Sequence, residues 1–382
     1  MVQSNEITIK HRNSSIELLR IIAMLIIVFH HFAVHWWFDF WNIITVPRLR
    51  YNFIAIWWKI GVDVFVLISW YFLITNKDWL DIKRILKLYL QIFFYSVTLL
   101  IIFMMAWNYS FDVMDIIKSV IPIRWKNWWF ASCYFILYLI HPLLNKIVLK
   151  LDKKTYQILM LVWLLCFCVL PTFAPMMWVW WGPLLLFILL YYIAWYIRLY
   201  DIPIKIKSSW YLKLFLIAIL LTYLSSLVFS FLWTEINRFN NIVFYFYAQD
   251  TVTIVWVSVL LFMIFVKMNM KYNKIVNLVA SSTFWIYLIH DNFLMRDFLW
   301  NDLFENVKYQ DTIFLIPYSI FAVSLVFVSC MLIDLFRKKY FEKYYLKVVD
   351  SLLPNLHASS HALTSFFLPK WIKCKKKMQV NI

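Results

Sequence analysis

Arg20 and His31 lie in one apolar run, Ile16 to Val34, with ten residues between them. Ionisable side chains are costly in hydrocarbon, so a pair inside a stretch long enough to cross a bilayer points to function. On a helix, eleven positions rise roughly 16 Å and return to within about 20° of the starting direction. One face therefore carries a fixed cation at one depth and a proton-transfer group about three turns along. A neutral imidazole takes a proton from a hydroxyl as a general base near neutral pH. His30 and His35 crowd the same end of the run, but His30 is turned about 100° from the Arg20 face.

Other residues extend this pattern. Asp63, within KIGVDVFVLIS at 59–69, falls near the middle of the second apolar run, where a lone carboxylate is expensive. Arg20 or a histidine is its expected partner. Arg84 and Lys87 are i,i+3 neighbours at the start of the third run. They suit a phosphate clamp, although anchoring at a membrane surface accounts for them equally well. STFWIYLIHDN at 282–292 brings His290 and Asp291 to the depth of His31, so a shared polar chamber is expected. His31 and His35 have i,i+4 spacing, but no acid or cysteine stands at a zinc-ligand distance in sequence, and no metal is expected.

The elements that must hold these residues are membrane helices. The chain is 64% hydrophobic and 15% charged, far from the balance of a soluble globule. Apolar runs fall near 15–35, 52–75, 86–107, 128–149, 156–176, 178–199, 210–233, 250–267, 275–298 and 312–336. Each is about the length a bilayer requires. The expected fold is thus all-α and polytopic, with about ten transmembrane helices over 1–336 and a basic tail over 337–382. The tail alternates basic and aromatic residues, as in RKKYFEKYYLK, and is expected to lie on anionic lipid.

Lysines and arginines such as Lys10, Arg12, Lys146, Lys150, Lys153, Lys154, Lys205, Lys207, Lys271 and Lys274 gather in the termini and alternate loops. The positive-inside rule then places both termini in the cytoplasm of a cell-membrane protein. The net charge of +17 follows from that topology, which leaves nucleic acid without a role. Cysteines 133, 166, 168, 330 and 374 have neither paired extracellular nor metal-ligand spacing and read as apolar thiols.

These segments together resemble the membrane acyltransferase 3 family. SSIELLRIIAMLIIVFHHF at 14–32 is similar to its opening helix, with an Arg-x10-His signature on Arg20 and His31. The resemblance continues through KIGVDVFVLIS, an RxxR-like pair on Arg84 and Lys87, WWFASCYFILYLIHPLLN at 128–145 and STFWIYLIHDN. It implies an integral-membrane enzyme moving an acyl group, usually acetyl from acetyl-CoA, onto hydroxyls of surface polysaccharide or its lipid-linked sugar precursor. Arg20, Arg84 and Lys87 would then hold the phosphates of acyl-CoA, and His31, Asp63 and His290 would form the catalytic set. Lysine at the second RxxR position keeps the charge but loses the planar fork. An exporter of lipid-linked sugars is the competing reading, but it has no need of cytoplasmic cations aligned under a membrane histidine.

One departure is systematic. Glycine occurs twice and tryptophan 22 times. Tryptophan stands where members of the family typically show glycine, at Trp36, Trp37, Trp57, Trp58, Trp70, Trp195 and Trp285. Membrane helices favour small residues where their backbones approach, so the largest side chain at these places should overpack the bundle. The pattern fits glycine codons rendered as tryptophan, as when a reassigned UGA codon is misread. A chain genuinely rich in tryptophan is the alternative.

Overall fold

The computed structural model describes residues 13–35, 44–73, 81–106, 112–123, 128–173, 182–200, 207–236 and 243–367, with side chains omitted at Trp58, 233–236 and 355–367. Trp36, Trp37, Asn127, Cys374 and the tail lysines at 373 and 375–377 fall outside these ranges. Among the described residues every regular element is helical.

Helix α1 (Ser14–Val34) begins where the Asn13 side chain accepts hydrogen bonds from the backbone of Ser15 and Ile16. Such a cap satisfies amides that the first turn leaves open. After the short α2 (Val46–Ala55), α3 (Trp57–Leu73) packs along α1. Gly61 explains how close they come. A Cβ on it would stand 2.7 Å from the Ala23 carbonyl oxygen and 2.8 Å from Ile27.

Helix α4 (Ile82–Ala106) is followed by the short α5 (Val113–Val120), which packs on it with several apolar residues exposed. Then come α6 (Trp129–Val148), α7 (Lys153–Leu164), a π-helical turn, α8 (Leu170–Phe173), α9 (Pro183–Leu199), α10 (Ser208–Ile236) and α11 (Val252–Lys267). The chain continues through α12 (Lys274–Ala280), α13 (Thr283–His290) and α14 (Phe293–Asp297), and ends with α15 (Leu315–Tyr340) and α16 (Glu342–Phe367). Helices α9 and α11 pack on α3, while α13 and α15 flank α1, so α1 and α3 occupy the centre of the bundle.

Among the described residues, eight helical segments are long and apolar enough to cross a membrane. Two of the ten expected spans take another form. Near 178–199 stands α9, shorter but apolar, with most of its side chains buried. Near 275–298 the expected single helix is broken into α12, α13 and α14. The breaks have local causes. Asn273 caps α12, the Ser281 and Thr283 hydroxyls donate to carbonyls of its last turn, and Asn292 caps α14. Short polar side chains compete with the helix ladder in this way.

Helix α15 runs to Tyr340, past the end of the expected span, and buries Arg337. Its guanidinium pairs with Asp334 at 2.8 Å and lies 5.2 Å from the Trp285 ring. Helix α16 folds back on α4, with Lys87 bonded to Glu342 at 2.5 Å, Lys83 to Asp350 at 2.6 Å, and Gln91 to Tyr345 at 2.9 Å. The start of the basic tail is therefore a docked helix.

Candidate active site

The end of α1, the end of α13 and the start of α14 meet in one buried polar group. His290 is the last residue of α13 and Asp291 its C-cap, where the chain turns into α14. One turn into α14, Arg296 reaches back and donates Nε to Asp291 Oδ1 at 2.8 Å. The same oxygen lies 3.1 Å from His35 Nε2 and 3.5 Å from His31 Nδ1. His31 Nδ1 is also 2.8 Å from His290 Nε2. The side chain of Asn306 donates to the Phe32 carbonyl at 3.0 Å and holds the end of α1 in place.

The bonding pattern assigns the tautomers. His290 Nδ1 lies 2.6 Å from the Ile286 carbonyl oxygen, which only accepts, so Nδ1 carries the hydrogen. With that ring neutral its Nε2 accepts, and His31 donates from Nδ1. His31 Nε2 then holds the lone pair. A base whose second nitrogen is fixed by a histidine and a carboxylate has the arrangement by which acyl-transfer enzymes activate a hydroxyl.

His31, His35 and Asp291 also place three donor atoms within 4.8 Å of one another, an arrangement open to a metal ion. Tertiary structure thus supplies the acid that sequence spacing lacked. Arg296 bonds one oxygen of that carboxylate, Oδ1, at 2.8 Å, and its positive charge raises the electrostatic cost of a second cation there.

Asp63 is elsewhere, and its expected pairing with Arg20 or a histidine is corrected. It is fully buried and accepts a hydrogen bond from Gln249 Nε2 at 2.7 Å. The reason is angular. Gly61 faces α1, and two residues further on, about 200° around the helix, Asp63 faces the segment that precedes α11. Lys59, one turn below Asp63, stands in the field of Asp63, Asp250 and Asp291, with its ammonium 4.5 Å from the Trp129 ring centre.

At the opposite end of α1, Arg20 pairs with Glu17 at 2.9 Å, and its Nε has no hydrogen-bond partner among the described residues. Its charge acts on Tyr134 of α6, and Arg84 interacts with Tyr138, one turn further along the same helix. Helix α6 therefore brings Arg20 and Arg84 to one side of the bundle. Arg84 also pairs with Asp81 at 2.8 Å, while Lys87 is drawn toward α16. Sequence reasoning missed Arg296 and Gln249. An arginine five residues past His–Asp was the signal available for the first; nothing local marked the second.

A bundle of membrane helices with imidazoles, a carboxylate and an arginine hydrogen-bonded in its interior is the architecture of an integral-membrane enzyme. The chain belongs to the acyltransferase 3 family, whose acyltransferase-domain model matches residues 13–335. It is a multi-pass membrane acyltransferase. Comparison with curated proteins and with solved structures gives no match.

Proposed function

We propose that this acyltransferase moves an acetyl group from acetyl-CoA to a hydroxyl of surface polysaccharide or its lipid-linked sugar precursor. The observation that carries the reading is the 2.8 Å contact of His31 Nδ1 with His290 Nε2, whose assigned tautomers leave His31 Nε2 as a base at the end of α1 remote from Arg20. The acceptor hydroxyl loses its proton to His31 Nε2 as its oxygen attacks the thioester carbonyl. The carbon–sulfur bond breaks, and the imidazolium returns the proton to the departing thiolate. Asp291 steadies the imidazolium, and His35 and Arg296 hold Asp291 in place.

Arg20 and Arg84 serve the CoA phosphates by charge-assisted bonds, with Lys87 contributing once released from Glu342. Between Arg20 and His31 stands a row of rings, Tyr134, Phe130 and Tyr287. Their neighbouring centres are 5.9 Å and 5.2 Å apart, and Tyr287 lies 6.5 Å from His31. Such a row suits the apolar arm of an acyl carrier better than it suits a sugar in transit. Positive-inside topology puts Arg20 toward the cytoplasm of the cell membrane, where acyl-CoA is made.

The test is His31→Ala and His31→Gln in membranes supplied with acetyl-CoA, with glycan acetylation read by mass. Both are expected to lose about 10²–10⁴-fold in transfer, because neither side chain accepts a proton at neutral pH. Wild-type transfer by His31→Ala at equal membrane abundance would overturn the assignment.

A further inference from the structure

A cavity of about 480 Å³ opens beside the polar group, at the end of the bundle remote from the N-terminus. Val34, three residues past His31, forms part of its wall, as does Lys59 of α3. The opposite wall comes from the segment before α11, with Phe244, Tyr247, Gln249 and Asp250. Its size is that of a small-molecule site, and its lining is mostly apolar with a few convergent polar groups.

We infer that this cavity is the acceptor site and that it takes a neutral glycosyl unit. The inference rests on the transfer reading above and adds where the sugar sits and what charge it carries. One ammonium, Lys59, and one carboxylate, Asp250, face the same space and interact. A carboxylate accepts from two neighbouring hydroxyls and an ammonium donates to their oxygens, which is the pairing a polyol demands. A uronate or phosphate group would gain Lys59 but meet Asp250. The apolar face of a pyranose finds an aromatic wall, since Tyr51, Phe244 and Tyr247 stand in sequence with ring centres 5.8 Å and 5.4 Å apart.

That wall is firmly held. The Tyr247 hydroxyl lies 2.9 Å from Ser226 Oγ and 3.2 Å from the Asn52 carbonyl oxygen, with its one hydrogen shared between these two acceptors. Asp63, bonded to Gln249, fixes the lip beside Asp250 and is a positioning residue for this site. Lys59 lines the cavity, and its charge interacts with Asp291 as well as with Asp250. The cavity thus adjoins the end of α1 that carries the proposed base, through Val34, three residues past His31.

The experiment uses the full chain in lipid nanodiscs with acetyl-CoA. The acceptor is the source cells' surface polysaccharide, stripped of esters by mild alkali, or its lipid-linked precursor, and ester formation is followed by mass. Asp250→Asn removes the charged acceptor at constant shape and is expected to raise the polysaccharide KM about 10–100-fold. Phe244→Ala, at a half-exposed ring, is expected to move it in the same direction, and the acetyl-CoA KM is expected to hold for both. Dextran, a neutral glycan, is expected to compete with the acceptor, and alginate, a polyuronate, is not.

Wild-type transfer with an unchanged polysaccharide KM in both variants would move the acceptor elsewhere and leave the transfer reading standing. A joint rise of both KM values would mark a structural role and overturn the site. Competition by alginate alone would overturn the neutral class. A wild-type protein that esterifies neither the stripped polysaccharide nor its lipid-linked precursor would remove the transfer reading, and this inference with it.

Discussion

Asp291 is where the charges of the proposed reaction centre meet, since two imidazoles and a guanidinium converge on its Oδ1. Asp291→Asn keeps the shape but removes the counter-charge to an imidazolium on His31. Transfer is expected to fall by about 10²–10⁴-fold with membrane insertion retained, and the melting temperature is expected to drop because Arg296 loses its counter-charge, as measured on the purified variant. His30→Ala is expected to cost far less, because His30 contributes neither nitrogen to the pair formed by His31 and His290. Tryptophan 70 poses a different question. It is fully buried among Tyr134, His141 and Tyr191, and its indole nitrogen has no partner among the described residues. A buried donor left unpaired costs about 1–3 kcal/mol. Trp195, by contrast, donates to Asn145 at 3.3 Å, and Trp285 lies against Arg337. With glycine so scarce in the chain, peptide mass spectrometry across position 70 of the protein from its own cells is expected to read glycine. A tryptophan mass there would establish the chain as written.

The elements hold these residues by two devices, close approach and interrupted helices. Gly61→Ala would set a methyl group 2.7 Å from the Ala23 backbone oxygen, which has no rotamer with which to yield. Separation of α1 from α3 is expected to cost about 1–3 kcal/mol, read as a lower melting temperature in detergent. Transfer should fall too, because α1 carries both Arg20 and His31. At the far end, Asp334 balances Arg337 and Lys338, each at 2.8 Å, and accepts from Tyr95, also at 2.8 Å. Asp334→Ala would leave Arg337 buried without its nearest counter-charge. A loss of about 3–5 kcal/mol is expected, seen as depleted folded protein in membranes, with Asp334→Asn intermediate. The broken helix α12–α14 works differently: it stops α13 at His290 so that Arg296 can turn back on Asp291.

At the scale of the whole molecule, topology decides which substrate arrives from which side. Cysteines introduced at Lys271, in the loop before α12, and at Val46, the first residue of α2, both exposed, sit at opposite ends of the bundle. In intact cells an impermeant thiol reagent is expected to label the Val46→Cys protein and to spare Lys271→Cys. The reverse result would invert the entry side of acyl-CoA. Hydrophobic run length carries the spans in the sequence and lysine placement carries the expected orientation, since span length and loop charge are local quantities. The Arg20–His31 face was equally legible, because helical periodicity is set by the backbone alone. Partners were not. Asp63 was expected to meet α1 and instead meets Gln249, 186 positions away, because the tight fit of Gly61 fixes how α3 is rotated. Arg296 joined the site only when polar caps broke an apolar run that reads as one span. That His31, Asp63 and His290 are buried ionisable groups could be read from the chain, whereas the burial of Arg337 and the part of Arg296 could not; which groups touch depended on helix rotation and helix breaks, and packing between distant segments alone decides those.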